Sequence, residues 1–319
     1  MTGISRRDFV QIGATGTAGL LLGSHTAIRA EPPMPERPLG RTGHNVRLFS
    51  LGGQATLEKQ GTRDESIAII NRAIDLGVNY IDTARYGSGI SQTYIGEVMK
   101  TRRKEVFLAT KTRDRSRDGS LKLLEESLRL LQTDRIDLWQ LHNITQIKEL
   151  DQIFSKDGAI EAMTKARDEK TVRFLGITGH FDPDVLIEGI NRFAFDTILM
   201  ALNPSDPHLL PFQARLLPLA NQKKMAIIAM KVPARGRLFR PGGITSMKDA
   251  MSYVLSKQVS TVIVGCDSVK QVEENVQIAR DFQPMSAERM AELERLTASY
   301  AMEASFFKRG ASGFGSGHD

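Results

Sequence analysis

The feature that most constrains this chain is a regular alternation of two hydrophobic periods. Eight short apolar runs, at 46–51, 79–83, 106–111, 136–142, 174–178, 197–203, 226–232 and 261–266, read as buried strands. Between them apolar residues recur at helical spacing. In 66–76, Ile67, Ile70, Ala73 and Ile74 share one side; 121–131 repeats leucine in the same way, and 212–224, 247–257 and 269–282 continue the pattern. Strands returned by helices lie parallel, because a crossover is needed to bring the chain back to the same end. Eight such units close into a barrel. A hairpin over 37–49, turning at Thr42-Gly43, precedes them, and a further helix, 287–300, follows. The expected fold is α/β: a (β/α)8 TIM barrel with an N-terminal hairpin and an extra C-terminal helix. An open doubly wound sheet would want a G-x-G-x-x-G turn after its first strand, and Gly52-Gly53-Gln54 is not one. At 41% hydrophobic and 25% charged residues, the chain has the apolar material for such a core.

The first thirty residues read as an address. Arg6-Arg7 precedes Phe9, a short apolar stretch follows to Gly23, and Ala27 to Ala30 offers small residues for cleavage. The paired arginines resemble the twin-arginine signal of proteins exported already folded. The expectation is a signal peptide over 1–30, a stiff Pro-rich linker over 31–36, the barrel over 37–300 and a flexible tail over 301–319. The twin-arginine export machinery is then a partner and the periplasm the destination, with no stable membrane anchor. Folded export also suits a chain whose one cysteine, Cys266, can form no internal disulfide. The net charge of +6 is dispersed, without the basic stripe and interleaved aromatics of a nucleic-acid face.

Chemistry in a βα barrel sits where strands end. Asp82, Lys111 and His142 fall at the ends of three consecutive strands, with Tyr86 in the loop after Asp82. Thr178 and His180 follow the fifth strand, Asn203 ends the sixth, and Lys231 lies near the end of the seventh. These residues suit hydride transfer to a carbonyl, whose oxygen must then take a proton. Tyr86 can supply it, and a neighbouring Lys111 ammonium is expected to lower the phenol's pKa. Asp82 would pair with Lys111, and His142 would orient the substrate oxygen.

Taken together, several stretches resemble the aldo/keto reductase family over nearly all of 37–283. They are Asn79-Tyr80-Ile81-Asp82-Thr83-Ala84 with Tyr86-Gly87, Ala109-Thr110-Lys111, Asp137-Leu138-Trp139-Gln140-Leu141-His142, Arg173-Phe174-Leu175-Gly176-Ile177-Thr178 and Gln271-Val272-Glu273-Glu274-Asn275. The resemblance implies an NAD(P)H-dependent barrel reducing a small-molecule carbonyl, with Asp82, Tyr86, Lys111 and His142 as its catalytic residues. It implies a cofactor held by Gly265, Cys266, Asp267, Ser268, Gln271, Glu274 and Asn275 at its adenosine half. Gly53, Thr178, Gly179, Asn203, Met230 and Lys231 would lie along the rest. NADP(H) is the family's default cofactor, with NAD(H) left open.

The sequence departs from the family in four places. Asp82 and Tyr86 are four positions apart where five is usual, so the loop must be rearranged, and Tyr94 is a fallback acid. Thr178-Gly179 stands where Ser-Asn is common, and Leu199 where Gln is. Gln271 stands where a basic residue often meets the 2′-phosphate; neighbouring Lys270 could substitute, whereas Asp267 would repel that phosphate. Two other readings stay open: a nucleotide-binding barrel of little turnover acting as a sensor, and a metal-dependent hydrolase using Asp82, His142 and His180. Cys266 and Trp139 read as packed core residues, and Phe306 and Phe307 either as pocket lining or as anchors for the tail.

Overall fold

The computed structural model describes residues 32–308, so the expected signal peptide and most of the tail lie outside the described residues. Two short strands, β1 (Glu36–Pro38) and β2 (Asn45–Arg47), pair antiparallel. Eight strands then form a closed parallel barrel: β3 (Phe49–Gly52), β4 (Tyr80–Asp82), β5 (Phe107–Thr112), β6 (Ile136–Leu141), β7 (Val172–Gly179), β8 (Thr197–Ala201), β9 (Ala226–Met230) and β10 (Thr261–Val264), which returns to β3. The run expected over 46–51 is divided: 45–47 pairs in the hairpin, and the barrel strand begins at Phe49. Leu48 marks the division, its N–H donating to the Pro35 carbonyl at 3.1 Å.

Each barrel strand is followed by helix: α1 (Arg63–Asp75), α2 (Ile90–Arg102), α3 (Arg117–Leu131), α4 (Ile147–Ile153) with α5 (Ala159–Asp168), α6 (Pro183–Arg192), α7 (Leu216–Gln222), α8 (Met247–Leu255) and α9 (Val269–Arg280). Polar residues set several starts. The side chains of Ser116, Asp182, Ser246 and Ser268 accept the first free N–H groups of α3, α6, α8 and α9, and Pro183 enters α6 where its missing donor costs nothing.

Strand alternation divides the core in two. Ile81, Leu108, Trp139 and Leu141 face outward into a large cluster shared with the helices. Tyr80, Phe107, Leu138, Leu199 and Ile228 face inward and fill the lower barrel. The hairpin closes that lower end, since Leu39 and Val46 belong to the same inner cluster. Gly40 allows the approach: with φ at 53°, a Cβ there would lie 2.2 Å from the backbone N of Ala226.

After the barrel come α10 (Ala287–Thr297), a 3₁₀ turn and α11 (Ala301–Ala304). The expected flexible tail from 301 begins too early. Phe306, Phe307 and Lys308 are buried, the Lys308 ammonium pairs with buried Asp206, and it donates to the carbonyls of Leu209 and Leu210 at 2.8 and 3.0 Å. Burying two aromatic rings and a paired charge offsets the entropy of ordering this stretch. No helix among the described residues is long and apolar enough to cross a membrane.

Candidate active site

The strand ends frame a cavity of about 620 Å³. Asp82, Tyr86, Lys111, His142 and Thr178 lie at one end, and Asp267, Gln271, Glu274 and Asn275 at the other. Its floor is the continuation of the inward-facing rows: Tyr80 leads to Asp82, Phe107 and Ala109 to Lys111, and Leu138 to Gln140 and His142. Lys111 and Asp82 form a buried ion pair, and Lys111 also donates to the Thr83 carbonyl at 2.9 Å. The second carboxylate oxygen of Asp82 accepts from Gln140 Nε2 at 3.0 Å. Two charges persist out of water only when their remaining hydrogen-bonding positions are met in this way.

The four-position spacing between Asp82 and Tyr86 is absorbed by a tight turn. The Tyr86 N–H donates back to the Ala84 carbonyl at 2.8 Å, and the Gly89 N–H to the Tyr86 carbonyl at 2.7 Å. The phenol ring stands edge-on to the His142 imidazole, with centroids 6.2 Å apart and planes at 73°. Its electrostatics differ from the sequence expectation. The Tyr86 pKa lies well above the usual phenol value, because burial disfavours phenolate and the Asp82 carboxylate adds to the effect, ahead of a smaller opposing pull from Arg235 and Arg113. Asp82 holds the Lys111 ammonium that was expected to lower it, and the Asp82 charge itself raises it. Tyr86 therefore holds its proton at neutral pH.

Both cavity histidines are neutral at that pH. Burial holds His142 well below the usual imidazole range, and the charges of Lys111, Arg113, Arg115 and Lys231 push the same way. Burial does the same to His180, followed by Lys231, His142 and Lys111. His180 Nδ1 lies 2.7 Å from the side-chain oxygen of Asn143, whose own N–H donates to Thr178 Oγ1 at 2.8 Å. Asp82 and His180 are thus engaged with Lys111, Gln140 and Asn143, so two of the three residues weighed for a divalent ion are committed elsewhere.

The other end of the cavity is built from loops. Gly52 and Gly265 let two strand ends pass closely, a Cβ on Gly265 meeting the Gln54 carbonyl at 2.9 Å. The loop after β9 holds three non-glycine residues in the left-handed region, Lys231, Ala234 and Arg235 (φ 60°, 49° and 53°), with Lys231 and Arg235 on the cavity wall. A short 3₁₀ turn, Ala55–Glu58, sends ion pairs to both flanking loops: Glu58 meets Arg235 at 3.5 Å, and Lys59 meets Asp267 at 3.0 Å. The Asp267 N–H donates to Gln271 Oε1 at 2.7 Å, and α9 begins beside it. A cavity lined by cations, glycines and a helix N-terminus fits a dinucleotide with its phosphates.

Of the residues expected along the cofactor, Gly53, Thr178, Met230, Lys231, Gly265, Asp267, Gln271, Glu274 and Asn275 line this cavity. Gly179, Asn203, Cys266 and Ser268 lie outside its lining. Gly179 abuts Leu186 and the Ile144 carbonyl; Asn203 is buried and braces Ser205 and the Lys231 carbonyl. Cys266 is fully buried against Asn275, its thiol pushed up to about 12 by burial. Ser268 caps α9. Lys270, weighed for the 2′-phosphate, instead sits 3.7 Å from Glu274 on an exposed face. Tyr94 is buried in the outer core with Trp139. Missed by the sequence were Lys59, Arg235 and Gln140; period-two spacing from His142 could have revealed Gln140, which shares its inward face.

The sequence model of the Aldo/keto reductase family matches residues 48–241. The chain belongs to this family. This aldo/keto reductase is 30% identical to L-galactose dehydrogenase of Arabidopsis thaliana over 305 residues, covering 82% of this chain and 93% of the relative. It is 27% identical to the uncharacterized oxidoreductase YqkF of Bacillus subtilis, over 77% of this chain and 91% of that one. Among solved structures, the holo form of the aldo-keto reductase AKR11C1 from Bacillus halodurans superimposes with a TM-score of 0.71 at 28% identity, covering 82% of this chain and 96% of that one. This aldo/keto reductase is an NAD(P)H-dependent oxidoreductase.

Proposed function

We propose that the protein reduces a small aldehyde or ketone to its alcohol with NADP(H), Tyr86 giving the proton. The observation that carries this reading is a proton-holding phenol facing a neutral imidazole beside a buried, fully partnered Asp82–Lys111 pair. When bound, the nicotinamide supplies the hydride. Tyr86 and the neutral His142 receive the carbonyl oxygen between them by hydrogen bonds. As negative charge grows on that oxygen, it takes the Tyr86 proton, and the resulting phenolate is stabilised by Lys111, which Asp82 holds in place. His142 donates through its neutral ring without carrying a second proton to give up, because burial keeps it out of the imidazolium form. Gly265, Asp267, Gln271, Glu274 and Asn275 would hold the adenosine half. Lys59, paired with Asp267, offsets the one acid expected to repel a 2′-phosphate, which favours NADP(H) over NAD(H).

The test is NADPH oxidation with 4-nitrobenzaldehyde, followed by absorbance. Tyr86→Phe is expected to lower kcat by about 10²–10⁴-fold while cofactor fluorescence still reports binding. Turnover unchanged in that variant would assign the proton to another group, and an absence of cofactor binding would sink the reading. We also propose that residues 1–30 direct export of the folded chain to the periplasm through the twin-arginine machinery, on the strength of Arg6-Arg7 and the apolar stretch behind them. Replacing both arginines by lysine should retain the protein in the cytoplasm on fractionation; undiminished export would count against it.

A further inference from the structure

The inner wall of the barrel carries a polar side chain bonded to Asp82 that the reaction just described does not use. Gln140 is fully buried, above an interior layer that includes Tyr80, Phe107, Leu138 and Leu199. An amide in such a place is costly unless it is bonded. Its Nε2 donates to Asp82 Oδ1, while Lys111 takes Oδ2. Room for it comes from the next strand, where position 176 is glycine: a Cβ there would lie 2.9 Å from Gln140 Cγ and 2.3 Å from Thr197 Oγ1.

We propose that Gln140 is a positioning residue for carbonyl reduction, acting through Asp82. The inference rests on the function proposed above. A carboxylate held by one ammonium alone can turn about its terminal bond and exchange oxygens. A second donor from β6 removes that freedom and fixes which oxygen meets Lys111. Because the amide is neutral, it does this without adding a charge that would compete with Lys111. The groups facing Asp82 are Lys111 from β5, Gln140 from β6, Tyr80 from its own strand and Tyr86 from the loop beyond; both tyrosines feel its charge. Gln140 thus sets the direction of the Lys111 ammonium towards the place where the Tyr86 phenolate forms.

Two isosteric variants of the full-length protein separate this role from plain packing. Gln140→Met keeps the volume and loses the donor. It is expected to lower kcat for 4-nitrobenzaldehyde about tenfold, with KM for NADPH unchanged. Gln140→Glu places a carboxyl against Asp82; while protonated it can donate as the amide does, and once ionised it repels. Its kcat should match wild type at low pH and then fall as pH rises, along a limb absent from both wild type and Gln140→Met. Equal kcat in wild type and Gln140→Met, or a Gln140→Glu profile parallel to wild type, would overturn the proposal. A crystal structure of Gln140→Met decides it independently of turnover. The Asp82 carboxylate turned and Lys111 displaced from the Thr83 carbonyl support it, and an unmoved pair overturns it. Should wild type turn over no carbonyl, the function proposed above fails, and the crystal structure still decides whether Gln140 positions Asp82.

Discussion

The two ends of the cavity are built on opposite physical terms. At the strand ends, Asp82, Lys111 and Gln140 are buried, bonded to one another and carried on adjacent rungs of the barrel. At the opposite end, Glu58, Lys59, Arg235 and Asp267 sit on loops and short turns, partly exposed, in ion pairs that link distant parts of the chain. Buried charges of the first kind are strongly coupled to folding and to chemistry. Exposed pairs of the second kind contribute about 0–1 kcal/mol and weaken with salt. One end is held by pairs that water does not reach, and the other by pairs open to solvent and salt.

The largest expected effect breaks the buried end. Lys111→Met leaves the Asp82 carboxylate without its counter-ion and removes the cation proposed to stabilise the Tyr86 phenolate. Carbonyl reduction should fall by about three orders of magnitude or more, and denaturant unfolding should show a loss of about 3–5 kcal/mol. A second buried pair sharpens the comparison, because it lies away from the proposed chemistry. Lys308→Met should cost about 3 kcal/mol by the same assay, since Asp206 stays buried, yet kcat per folded molecule should change less than twofold.

Next comes pH. His142 and His180 have folded pKa values below the unfolded value, so below about pH 6.5 the unfolded chain binds more protons than the folded one. Their contribution is present above that pH and lost as pH falls. Stability should drop by up to about 1.4 kcal/mol per pH unit per histidine below 6.5, and His180→Gln should flatten the slope measured by urea unfolding. The smallest effect belongs to the loop end. Lys59→Ala should reduce the preference for NADPH over NADH by about three- to tenfold in Kd, with the difference shrinking in high salt. An effect at the scale of Lys111→Met would erase the distinction between the two ends.

That distinction also explains what could be read from the sequence. Strand ends are legible because apolar runs are short and period two assigns each side chain a face. Asp82, Lys111 and His142 all stand on the cavity floor where the runs terminate. Loop contacts are not legible in that way. Lys59 reaches Asp267 and Glu58 reaches Arg235 across gaps no local pattern marks. The Tyr86 electrostatics were misjudged for a different reason. Counting Lys111 as a near charge overlooked that burial raises the phenol's pKa and that Asp82, which holds Lys111, raises it too. The packed stretch 301–308 was hidden by the Gly- and Ser-rich composition that follows it.

Closure of the barrel has a consequence for how this chain is made. The final ladder pairs Val262 with Phe49 and Val264 with Leu51, partners more than two hundred residues apart. Until the last strand is synthesised, the growing sheet has two raw edges, each able to recruit a stray strand. The ring cannot be finished by degrees, and its closing contact is among the most distant in the sequence, which predicts slow folding and a need for shelter meanwhile. A truncation that spares every residue of the cavity floor but removes β10 would therefore leave not a weakened enzyme but an open, adhesive sheet.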